Sequence, residues 1–226
     1  MNVFKKMRHL LRSRIDTHPT VYLTLCHIRL KTRQLTISKD MEIVIKSFPC
    51  SANIFAVAAF IFIQEQLMKI ICHLHVPVQV VKVVRREIFC MVLIRKPRDA
   101  VLSLLVREPH ISAEQALKDY IRFYRTVVPY RDKFVVGRFE EVTTKFGKVI
   151  RRVNARFGTN FKPFEHTEEN LQKVFQIVEE MHKEAQGLRE VKEEAVGRPS
   201  AKREMLKKKA ETKLETAKAK NAVIGS

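Results

Sequence analysis

The sequence has four cysteines, Cys26, Cys50, Cys72 and Cys90, and no two of them form a CxxC pair. That excludes a disulfide scaffold or a paired-thiol redox motif and reads as a reduced, cytoplasmic protein. The longest apolar run, Ile54 to Ile63, is ten residues. It is too short to cross a bilayer and fits a buried helix. No secretory signal and no internal repeat is visible. Glycine is scarce, at six residues, and no GxxxxGK[ST] occurs. This removes the phosphate loop of kinases and ATPases.

Basic residues are plentiful. The formal net charge of the 226 residues is +19, and 46% of them are hydrophobic. The apolar share is ample for a folded core. The charge is compatible with nucleic acid, an acidic membrane surface or a phosphorylated small molecule, and by itself does not choose. Much of it sits at the ends. Residues 1–40 hold nine Lys/Arg against Asp16 and Asp40, and residues 197–226 are rich in Ala, Lys and Glu. The expected organisation is a basic extension over 1–40, an α/β domain over 41–196 and a basic helical tail over 197–226. Val3, Phe4, Met7, Leu10, Leu11 and Ile15 have helical spacing among basic residues. This fits an amphipathic helix docked on the domain, with a transit peptide or a peripheral membrane contact as the other readings.

Between the ends, apolar runs alternate with helical patterns. Met41–Lys46 and Phe89–Ile94 read as buried strands and Phe134–Phe139 as a third strand, with a further short apolar segment over Ile70–Val76. Helices are expected from about Ile54 to Lys69, Asp99 to Arg107, Ser112 onward, Val142 to Phe157, and Glu168 to Gln186 after a Thr167 cap. Ser112 with Gln115 has the spacing of a capping box. The alternation predicts an α/β fold with a mostly parallel sheet and helices on both faces.

Three segments carry chemistry. Ser47–Phe55, SFPCSANIF, joins the first strand to the first helix, where backbone N–H groups and the helix dipole converge on an anion. Arg95–Ser103, RKPRDAVLS, puts an Arg at a strand end and a Ser eight residues on; a planar guanidinium suits a phosphate. His73-Leu74-His75-Val76-Pro77 puts a His two residues before a Pro.

Together these segments resemble the sulfotransferases that use 3′-phosphoadenosine 5′-phosphosulfate, a P-loop nucleotide-hydrolase-like fold. The resemblance covers about residues 41–186. It implies that the loop over Ser51, Ala52, Asn53, Ile54 and Phe55 holds the 5′-phosphosulfate, with the Phe55 ring on adenine. It implies that Arg95 and Ser103 hold the 3′-phosphate. It makes His75 the base that takes a proton from a hydroxyl or amine acceptor, whether a small molecule, a sugar or a lipid. No metal is expected. Phe139-Glu140-Glu141-Val142 is similar to a later element of the family, and Arg198 stands where other members place a late cofactor-binding loop.

The loop departs from the family pattern. Cys50 stands where a Lys or Arg touches the transferring group, Ala52 where Gly is usual, and Ile54 where a hydroxyl is usual. Lys46 is close in sequence to the missing cation. A left-handed Ala52 would cost about 1–2 kcal/mol. The expected activity is therefore sulfuryl transfer impaired by the loop. The alternatives are a catalytically weak nucleotide-binding or interaction protein of the same fold, and a basic nucleic-acid-binding protein, which no recognition motif favours. Beside these stand plainer readings: His75 as a structural strand-end His, Cys50 as an inert substitution, and Cys72, His73 and His75 as a metal site without complementary ligands.

Overall fold

The computed structural model describes residues 42–64, 70–71, 75–186, 201–202 and 204–212. The expected amphipathic helix near the N-terminus, and Arg198, lie outside the described residues. Four parallel strands form one sheet in the order β2-β1-β3-β4: β1 Ile43–Ser47, β2 Ile70–Ile71, β3 Cys90–Ile94 and β4 Val135–Arg138. The helices are α1 Asn53–Ile63, α2 Pro77–Arg85, α3 Pro97–Arg107, α4 Ala113–Val127, α5 Phe139–Phe157 and α6 Glu168–Gln186.

Strand alternation divides the core. Ile43, Ile45, Met91, Leu93 and Val135 face one side, under α1, α5 and α6. Val44, Cys90 and Val92 face the other, under α2, α3 and α4. Both faces are covered at β1 and β3, which is why those strands read as apolar runs, while the edge strand β4 alternates buried and exposed. The α/β fold with a parallel sheet and helices on both faces is as expected.

Boundaries differ in instructive ways. α1 stops at Ile63, not Lys69, because Gln64 turns extended (ψ 121). Its side chain then exchanges hydrogen bonds with the Lys162 backbone, both at 3.0 Å. α5 begins at Phe139, three residues before the expected start, where Glu141 accepts from the Arg138 amide. Only half of the expected box forms at Ser112: its hydroxyl accepts from the Gln115 amide, while the Gln115 side chain turns to Asp119. Thr167 caps α6 through the Asn170 amide. α2 was not foreseen. Its valines favour strands in isolation, yet Pro77 at the helix start and the burial of Val80, Val83 and Val84 hold it helical.

The edge strand β4 is protected. Arg152 donates to the Val136 carbonyl and pairs with Glu141 through two bonds of 2.9 and 3.0 Å, covering an edge that would otherwise template another strand. Residues 204–212 are helical, and Glu211 there pairs with Arg98 at the start of α3. Among the described residues no helix is long and apolar enough to cross a membrane.

α5 is kinked at Lys145 (φ −148°), and Gly147 just beyond it packs against the chain leading to α6. A Cβ there would stand 2.5 Å from the Phe164 carbonyl oxygen and 3.3 Å from Pro163. Gly147→Ala is therefore expected to destabilise the fold by about 1–3 kcal/mol, the usual cost of overpacking. Urea unfolding measures it; an unchanged midpoint would mean that α5 and the 163–164 backbone do not meet this closely.

Candidate functional site

In an open parallel sheet, ligands bind outside the carboxyl ends of the strands, where the strand order reverses. Here the chain passes from β1 to β2 on one side and then crosses to β3 on the other. The reversal lies between β1 and β3. The loop after β1 and Arg95 after β3 both emerge there.

The loop is strained. Cys50 and Ala52 both have left-handed backbones, φ 63° and 65°. A non-glycine residue pays about 1–2 kcal/mol for that conformation, so other contacts must hold the loop. Phe48 supplies one: its ring is buried, edge-on to Tyr120 at 5.2 Å. Arg95 supplies another: its Nη1 donates to the Cys50 carbonyl at 2.9 Å.

Arg95 is the centre of the site. The same Nη1 lies 3.1 Å from Ser103 Oγ, and the guanidinium sits 4.0 Å from the centroid of the Phe139 ring. Arg95 and Ser103 thus meet through the first two turns of α3. Ser103 itself is fully buried.

The start of α1 carries no side-chain cap. Its cap residue, Ala52, offers no side-chain bond, and no acid lies in the first turn to meet the helix dipole. Ser47 and Ser51 are both 0% exposed, and neither Oγ has a hydrogen-bond partner among the described residues. Burying such a hydroxyl unsatisfied costs about 1–3 kcal/mol, and a phosphate-like group would satisfy it. Burial, then the neighbouring Tyr120, pushes the Tyr124 phenol up; Ser51 lies near it and opposes the shift. The Tyr124 proton goes to the Leu93 carbonyl at 2.8 Å, and Ser51 Oγ stands outside hydrogen-bond geometry.

His75 lies on the loop side of the sheet. Its Nδ1 is 3.0 Å from the Ser47 carbonyl. A carbonyl only accepts, so Nδ1 is the donor of this bond.

Other expected residues fall elsewhere. The Phe55 ring is 6% exposed and packs on Phe164, His166 and Phe175, in the core between α1 and α6. It is a core residue and not a stacking platform: the helix turns this position toward α6. Ile54 packs partly against the same core, and Asn53 is buried as the first residue of α1. Lys46 is 0% exposed within β1, in register with Val92. Its charge opposes the shift of the Cys90 thiol, which burial pushes up to about 12. It sits on the strand below the loop. Tyr120 and Tyr124 had no sequence signal beyond helical spacing, whereas Phe139, which meets Arg95, belongs to the Phe139–Val142 element singled out in the sequence. Among the described residues no group of three or more His, Cys, Asp or Glu is placed to hold a metal.

No protein-family model matches the chain, and no curated protein sequence does. Among solved structures, the chain is similar to the mouse sulfotransferase SULT7A1 complexed with PAP, at 14% identity and a TM-score of 0.43, over 68% of this chain and 70% of that one.

Strain at Ala52 leads to a direct expectation. Ala52→Gly relieves about 1–2 kcal/mol of left-handed strain and adds about 0.5–1 kcal/mol of chain entropy to the unfolded state. The net is a stabilisation of about 0.5–1 kcal/mol, read as a higher urea midpoint with an unchanged slope. A lower midpoint would show that the Ala52 methyl makes packing contacts that outweigh its strain.

Proposed function

We propose that the chain binds 3′-phosphoadenosine 5′-phosphosulfate at the carboxyl ends of β1 and β3, and that its sulfuryl transfer to a hydroxyl or amine acceptor is slow. The observation that carries this reading is the meeting of Arg95, Ser103 and the loop carbonyl of Cys50 at the reversal of strand order.

In this reading the Arg95 guanidinium and the Ser103 hydroxyl hold the 3′-phosphate. A bound dianion competes with the Cys50 carbonyl for the same Nη1 and offers a stronger, charge-assisted bond. The amides at the start of α1 and the orphaned hydroxyls of Ser47 and Ser51 fit the 5′ end. The bound donor supplies an activated sulfuryl group. His75, with its Nδ1 proton fixed on Ser47, keeps Nε2 as the base toward an acceptor hydroxyl.

The weak point is the cation. Cys50 offers no charge where the leaving oxygen develops it, and Lys46 is enclosed in the strand. A preorganised donor at such a place is worth roughly 3–4 kcal/mol in the transition state. Binding uses backbone groups and Arg95; transfer needs the cation as well. A protein that binds the nucleotide and turns over little or nothing is the reading this favours. The strained, non-glycine loop supports it further.

Calorimetric titration with adenosine 3′,5′-bisphosphate tests the site without knowing the acceptor. The parent is expected to bind. Arg95→Ala should weaken binding by about 1.5–3 kcal/mol, the loss of a charge-assisted contact. Cys50→Arg combined with Ala52→Gly should raise sulfate transfer to a generic phenol by a larger factor than it tightens the bisphosphate, because the restored cation acts mainly in the transition state. Equal affinity in the parent and Arg95→Ala proteins would remove the phosphate assignment. Brisk turnover by the parent would place the missing cation elsewhere.

A further inference from the structure

β3 ends at Ile94, whose ladder partner is Arg138, and the pairing of β3 with β1 ends one residue earlier, at Leu93 and Ser47. Arg95 therefore begins where the sheet stops holding the chain. Its carbonyl is met instead by α4: the Tyr120 hydroxyl donates to it at 2.7 Å. One turn further along α4, the Tyr124 hydroxyl donates to the Leu93 carbonyl at 2.8 Å. The two tyrosine rings lie 4.6 Å apart, so they support each other.

Tyr120 also touches the opposite wall. Its ring packs against Phe48, in the loop after β1, at 5.2 Å and 69°. The contacts close a circuit: Tyr120 to the Arg95 backbone, the Arg95 side chain to the Cys50 carbonyl, and the loop back through Phe48 to the Tyr120 ring. Burial raises the Tyr120 phenol above its ordinary value, so it remains a donor throughout the neutral range.

We propose that Tyr120 is a positioning residue of the anion site: its hydroxyl fixes the backbone from which Arg95 reaches the loop, and its ring fixes the loop that Arg95 meets. The inference rests on the reading of Arg95 as a phosphate ligand. It goes beyond that reading by assigning the aim of the guanidinium to a side chain 25 residues away on another helix. Tyr120 touches no ligand in this scheme; it acts through Arg95. A tyrosine that merely filled the core would do so equally well without its hydroxyl.

The test compares the full chain with Tyr120→Phe, Arg95→Ala and the double variant. The ligands are adenosine 3′,5′-bisphosphate and adenosine 5′-monophosphate, which lacks the 3′-phosphate. Tyr120→Phe is expected to weaken the bisphosphate about 3- to 10-fold, the scale of one neutral hydrogen bond. The monophosphate should change less than about twofold, and so should the bisphosphate when Tyr120→Phe is added to Arg95→Ala, because the pathway is already cut. Equal weakening of both ligands, or a full effect in the Arg95→Ala background, would overturn the proposal.

A second readout needs no nucleotide. The NMR signal of the Arg95 Nε–H, assigned by its loss in Arg95→Ala, should shift in Tyr120→Phe. If the parent binds neither ligand, the phosphate reading falls, and an unmoved Arg95 signal then refutes the positioning role separately. Should Tyr120→Phe fail to fold, Phe48→Leu breaks the same circuit from the loop side, and an unmoved Arg95 Nε–H signal in that variant overturns the proposal.

Discussion

The Arg95 guanidinium joins three parts of the chain at one end of the sheet. It bonds the loop after β1 through the Cys50 carbonyl, α3 through Ser103, and the start of α5 through the Phe139 ring. Charge-assisted bonds of this kind contribute about 1.5–3 kcal/mol each, and a cation over a ring adds about 0.5–2 kcal/mol. Against them stands the strain of two left-handed residues, about 1–2 kcal/mol apiece. Only the Cys50 bond acts on the loop itself, and it is of the same size as that strain, so the loop's shape rests on Arg95 and the buried Phe48 together. A charge that anchors a strained loop is also poised to exchange a carbonyl for a better anion.

Topology makes that convergence possible. Cys50, His75, Arg95 and Phe139 are scattered over ninety positions, yet each follows the end of a parallel strand or opens the next helix. Parallel strands all finish on the same side, and the order β2-β1-β3-β4 leaves a crevice between β1 and β3. α1 starts at that crevice with its dipole uncapped, and α4 lies on the far face with two phenols turned to the end of β3. The sheet sets the address, while helices on opposite faces supply the uncapped start of α1 and the tyrosine brace.

This division explains what could be read in advance. The strands over residues 43–47 and 90–94 are buried on both faces, so they appear as unbroken apolar runs and were legible. The pairing of Arg95 with Ser103 is local, eight residues along one strand-to-helix turn, and local geometry follows spacing. Phe55 was misread because α1 is apolar on nearly every side, so its sequence does not say which ring faces the ligand side and which the core. α2 was hidden because a run of valines scores as strand until tertiary packing decides. The Tyr120 and Tyr124 bonds were invisible for a different reason. Their acceptors are backbone carbonyls 25 and 31 residues away, and a carbonyl carries no side-chain signature.

The loop shows why binding and transfer need not fail together. The contacts assigned to nucleotide binding are amides, two small hydroxyls and Arg95. Amides survive any side-chain replacement that preserves the backbone, and the backbone here adopts its left-handed turns even with Cys50 and Ala52 in place of more permissive residues. The cation that transfer requires has no such redundancy. In the proposed reading it must stand at one point, where Cys50 carries a thiol, and Lys46 is wholly buried within β1. Substitutions in this loop therefore cost stability through strain and, in the proposed reading, turnover through charge, while the position of Arg95 is set from outside the loop, by the helix that braces it.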